Sequence, residues 1–145
     1  MAETSLVAKF VMDVAALVPE GDARAPDAAT VDGAVQEIAM RTQEFLRVAS
    51  AWEHAMEETN RLERAGAAPE PLRFARDIEQ RAYQITVTSQ RALDQLIKRA
   101  REVHGEPSLV EDGRWHLLEM VDDCFSQALS EHHTRYFAKG PLGAI

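Results

Sequence analysis

Apolar residues recur along most of this chain at intervals of three and four, and no stretch keeps up a strand-like alternation. Spacing of three and four returns side chains to one face of a helix. The longest such row lies between Thr30 and Ala65. Val31, Val35, Ile38, Thr42, Phe45, Ala49, Trp52, Met56 and Thr59 step alternately by 4 and 3. A seam sustained over four heptads predicts a long helix that packs along its whole length against others. Gly66 ends it.

A third helix is predicted from Pro71, a residue tolerated in the first turn, to His104. Its apolar row reads Ala75, Ile78, Ala82, Ile85, Ser89, Ala92, Leu96, Ala100 and Val103. Ile85-Thr86-Val87-Thr88 favours a strand on local propensity, but a lone strand would have no partner, so helix is expected there too. Gly105 and Pro107 stop it. Ser108-Leu109-Val110-Glu111 fits a capping box and predicts the start of a fourth helix reaching residue 139, with Gly113 able to slip that start to Asp112. The first helix, about Glu3 to Val18, is short and carries Val7, Phe10, Val14 and Leu17 on one face. A polar, proline-containing linker follows over 19–29.

These elements predict an all-α fold: an antiparallel helical bundle of three long helices plus one short N-terminal helix. One domain over 1–139 and a short tail over 140–145 are expected. The short connections at 66–70 and 105–107 make helices two, three and four sequential antiparallel neighbours.

Composition narrows the function classes. The 145 residues carry a net charge of −8, which disfavours direct binding to nucleic acid or to anionic membranes. The third helix runs against this trend. Residues 71–104 hold seven basic and four acidic side chains, while 30–65 and 108–139 are net acidic. Internal charge complementarity between neighbouring helices is the expected reading. The one cysteine, Cys124, falls at a core position and points to a reducing compartment, the cytoplasm. Lys9 and Asp13 interrupt the apolar N-terminal run, and no segment has the length of a membrane span.

Candidate chemistry is sparse. No Glu is followed three residues later by His, as di-iron bundles require. Glu119-Met-Val-Asp122 matches half of the magnesium motif of MazG-like pyrophosphatases, without the other half upstream. Asp112, His116, Glu119 and Asp123 share a helix face and read as a solvated stripe. His132 continues the Phe125–Leu129 row and is expected half-buried, with His133 facing solvent. No metal, cofactor or phosphate loop is expected. Arg99, four residues and His104 resemble the R-x4–6-H motif of the HEPN superfamily, small helical bundles of which many are RNases. The resemblance implies that Arg99 would steady a phosphate and His104 assist proton transfer at a ribose 2′-hydroxyl, with two copies meeting in a homodimer. Ala100 departs from the polar residue common after the motif arginine. Cations in a last helical turn also favour the helix dipole, which accounts for the same residues without catalysis.

The expected function is therefore a non-enzymatic interaction or structural protein, self-associating or joined to another protein. A HEPN-like RNase using Arg99 and His104 is one alternative. An acidic decoy that blocks a nucleic-acid site on another protein is another. The first helix, about 24 Å long, is too short to cover both apolar faces of its neighbours. An uncovered strip is expected at Trp52, Met56 and Thr59, as the partner-binding site.

Overall fold

The computed structural model describes residues 5–18 and 27–137. The tail over 140–145 and most of the linker over 19–29 lie outside the described residues. The fold is all-α, and no strand occurs among the described residues. Five helices follow in order: α1 (Leu6–Ala15), α2 (Val31–Arg64), α3 (Pro69–His104), α4 (Glu106–Val110) and α5 (Trp115–Phe137).

Each boundary has a local cause. Ser5 caps α1 by accepting from the Ala8 N–H at 3.0 Å. Its hydroxyl also donates to Glu53 of α2, whose other carboxylate oxygen accepts from the Leu6 N–H at 3.0 Å. A negative group thus meets the positive end of the α1 dipole. Thr30 caps α2 through the Gly33 N–H at 2.9 Å. Gly33 is required by close approach, because a Cβ there would lie 1.8 Å from the Asp27 carbonyl oxygen. At the other end of α2, Gly66 has φ 67°, and the N–H groups of Gly66 and Ala67 return to the carbonyls of Glu63 and Leu62. This Schellman closure leaves only four residues between the end of α2 and the start of α3.

Helices α2 and α3 form a long antiparallel hairpin. Gln90 meets Asp122, and Tyr83 meets Leu129, so α5 runs back along α3. Helix α1 lies against the middle of α2, with its start at Glu53, and reaches α5. The main core gathers Phe10 and Val14 of α1, Ile38, Phe45 and Leu46 of α2, Leu93 and Ile97 of α3, and Trp115, Leu118 and Phe125 of α5. Phe45 and Phe125 meet edge to face at 4.9 Å. A smaller cluster of Trp52, Tyr83 and Leu129 continues the interior between α2, α3 and α5.

The row expected on α2 faces inward: seven of its positions are buried, and Val31 and Met56 are half-buried. On α3 the expectation is displaced. The buried residues begin and end where expected, at Ala75 and Ala100, but between them the buried row is Glu79, Tyr83, Thr86, Gln90, Leu93 and Ile97, each one residue beyond the anticipated position. One residue is a rotation of about 100°. The displaced row sets Tyr83 and Leu93 inward where the smaller Ala82 and Ala92 were expected, and Ile97 in place of Leu96. Its polar members find partners: Thr86 donates to the Ala82 carbonyl at 2.7 Å, and Gln90 donates to Asp122 at 3.0 Å.

The fourth helix is also corrected. It does not run unbroken from Ser108. Gly105, at φ 81°, lets the chain turn directly into α4, which begins at Glu106 with Pro107 in its first turn. Leu109, fully buried, anchors it. The Asp112 carboxylate accepts from the Arg114 backbone N–H at 3.0 Å and from its guanidinium at 2.9 Å, turning the chain again before α5. Arg114 also reaches Asp32 at 2.7 Å, tying this corner to the start of α2.

Candidate functional site

Arg99 and His104 stand at the end of α3, and their side chains diverge. Five positions along a helix is a turn of about 140° past the full circle. Arg99 is exposed and has no ion pair among the described residues. His104 Nε2–H donates to the Ala28 carbonyl at 3.0 Å, holding the turn that precedes α2. The residue of this segment that enters the fold is Arg101, which bonds Glu106 at 3.0 Å, pairs with Glu119, and lies 5.8 Å over the Trp115 ring.

Trp52 and Thr59 do not form an exposed strip. They are 4 % and 3 % exposed, respectively, and Met56 is half-buried against the second cluster. Trp52 lies 5.8 Å from Tyr83 and 5.2 Å from His132, and Tyr83 lies 4.7 Å from His132. Helix α5 extends far enough along the hairpin to cover this end, which α1 alone could not. His132 is half-buried as expected, and burial pushes its pKa down. His133 is exposed.

The interface of α3 and α5 holds a polar seam. Asp122 is 4 % exposed and accepts from Gln90. Burial, then its hydrogen bond with Asp94, pushes the Asp122 pKa up to about 7. Asp94 is held below the ordinary carboxylate range, chiefly by Lys98 at 2.8 Å. The stripe read as solvated divides: Asp112 and Glu119 pair with Arg114 and Arg101, while His116 and Asp123 are exposed. No group of three or more His, Cys, Asp or Glu among the described residues could hold a metal ion. No helix of the described residues is long and apolar enough to cross a membrane.

Val11, Met12, Val110 and Met120 are exposed on other elements, but the longest line of exposed apolar side chains lies on α3, where Ile78, Ile85 and Val103 of the row expected to face inward are joined by Phe74. Phe74 is 68 % exposed, Ile78 45 %, Ile85 58 % and Val103 64 %. These four fall within about 40° of one another around the helix and span about 44 Å along it. At one end Phe74 and Ile78 wall an apolar groove of about 310 Å³ with Ala55, Glu58 and Leu62 of α2. Midway, Ile85, Thr88, Ser89 and Ala92 form a shallow dip.

Charge accompanies the row. Of the seven basic residues of α3, Arg76, Lys98 and Arg101 meet acids of this chain. Arg73, Arg81, Arg91 and Arg99 pair with no acid among the described residues. Internal complementarity therefore accounts for only part of the basic charge on α3. The signal was present in the sequence, since α3 carries large apolar residues on two adjacent rows. Spacing alone did not distinguish the covered row from the open one. No family model, curated protein or solved structure is significantly similar to this chain.

Proposed function

We propose that this protein is a non-enzymatic interaction or structural bundle whose binding surface is the outer row of α3. The observation that supports this reading is one helix face bearing four large apolar residues, each between 45 % and 68 % exposed. Soluble chains rarely leave so extended a strip open unless a partner covers it. Scattered apolar side chains would need no explanation, but these share one line along a rigid helix.

The chemistry near Arg99 and His104 does not favour catalysis. One side chain points to solvent and the other is engaged by a backbone carbonyl. The test is affinity capture with the tagged full chain, comparing wild type with Ile78→Glu/Ile85→Glu. Proteins retained by the wild type, added untagged copies included, should be lost by the variant while its helical circular dichroism stays unchanged. Identical retention by both would sink the reading.

A further inference from the structure

We infer that the outer row of α3 is covered by the same row of a second copy of this chain, running antiparallel. The inference rests on the reading of that row as a binding surface and names its occupant.

The argument begins with register. From Phe74 the outer row steps by 4, 3, 4 and 3 through Ile78, Arg81 and Ile85 to Thr88. From Val103 it steps back by the same intervals through Arg99, Leu96 and Ala92 to Ser89. A two-fold axis between Thr88 and Ser89 therefore brings row onto row. Phe74 falls opposite Val103, and Ile85 opposite Ala92, so a large side chain meets a smaller one each time. The two arginines of the row fall opposite Leu96 and Ile78, away from each other. The small residues Thr88, Ser89 and Ala92 lie at the crossing, where the surface dips. Small side chains there allow close approach of two helices.

Charge then selects this pairing. In an antiparallel two-fold pair, each flank of the row lies beside the same flank of the second helix. Asp77, Glu102 and Arg73 stand on one flank of α3, and Arg99 is on the edge of the row that borders this flank. In this register Asp77 comes level with Arg99 of the second copy, and Glu102 with its Arg73, to within one or two residues. None of these four has a partner within the chain among the described residues. The symmetry doubles each contact, so four ion pairs would border the apolar row. A parallel pairing would set Arg81 against Arg81 and Arg99 against Arg99.

The test uses the full chain. Light scattering should give the mass of two chains at micromolar concentration, and Ile85→Glu should reduce it to one. Asp77→Arg and Arg99→Asp should each shift the equilibrium toward the single chain, by at least tenfold in dissociation constant. The double variant Asp77→Arg/Arg99→Asp should recover the wild-type mass, because the pair is restored with its signs exchanged. Circular dichroism confirms that each variant is folded. A wild-type mass of one chain at every concentration overturns the inference. If Ile78→Glu/Ile85→Glu still abolishes capture of a different protein, the interaction reading survives that result. If it does not, both fail. A two-chain mass indifferent to Ile85→Glu, or charge reversals without mutual rescue, overturns the proposed face or register.

Discussion

Asp122 shows how much one buried group can govern. Its carboxyl has a pKa of about 7 in the fold, against about 3.9 in an unfolded chain. The folded state therefore binds this proton more tightly. Its stabilising effect is full below the unfolded pKa and is lost as pH rises through about 7. The urea midpoint should fall between pH 5 and 8, and Asp122→Asn should flatten that slope while keeping a group that Gln90 can bond. An equal slope in the variant would remove Asp122 as the cause. His132 titrates nearby with the opposite sign, since its depressed pKa takes stability away as pH falls, so the paired comparison is what isolates Asp122. At the end of α3, purified protein should show no RNA cleavage that depends on Arg99 or His104. Cleavage abolished by His104→Ala in a folded protein would restore the HEPN-like alternative. Gly33→Ala should lower the melting temperature by several degrees, because the added methyl must displace the Asp27 carbonyl.

Individual helices differ in how openly the sequence declares them. The inward row of α2 was legible because one face alone carries its large apolar residues. Helix α3 carries two such rows about 100° apart. The choice between them depends on the neighbouring helices: Trp52 of α2 lies 5.8 Å from Tyr83, and Asp122 and the Leu129 carbonyl of α5 accept from Gln90 and Tyr83. No spacing rule within α3 contains that information. The break between α4 and α5 was hidden for a similar reason: Ser108 and Asp112 both look like starts, and the Arg114 contacts favour the second. The uncovered strip was expected from a shortage of covering helix, but its place depended on which row of α3 faced inward. The displaced row has a direct check. Leu93→Ala should cost about 2–5 kcal/mol, as for other large-to-small core changes, whereas Ile85→Gln should cost less than about 1 kcal/mol. Urea unfolding monitored by circular dichroism measures both. Equal losses would mean that the rows are assigned wrongly.

As a whole molecule the bundle is unevenly thick. Four helices surround Phe45 and Phe125, and Phe45→Ala or Leu118→Ala there should each remove about 2–5 kcal/mol. Farther along, Trp52, Tyr83 and Leu129 are enclosed by α2, α3 and α5 alone. Amide exchange should therefore be slowest around Phe45 and Phe125 and faster beyond Trp52, and the reverse order would contradict this division of the core.

The tight closure at Gly66 has a consequence for how the chain reaches this form. Joining α2 to α3 confines only a few residues, so the entropy lost in bringing them together is small. Contacts between them are available as soon as both have been synthesised, whereas Trp115, Leu118 and Phe125 emerge later. For that interval the hairpin displays the outer row of α3 together with the part of its inner row that α5 will cover. Arrival of α5 hides the latter. Folding on the ribosome thus passes through a species stickier than the finished protein, and its duration is set by the time needed to translate residues 105 to 137.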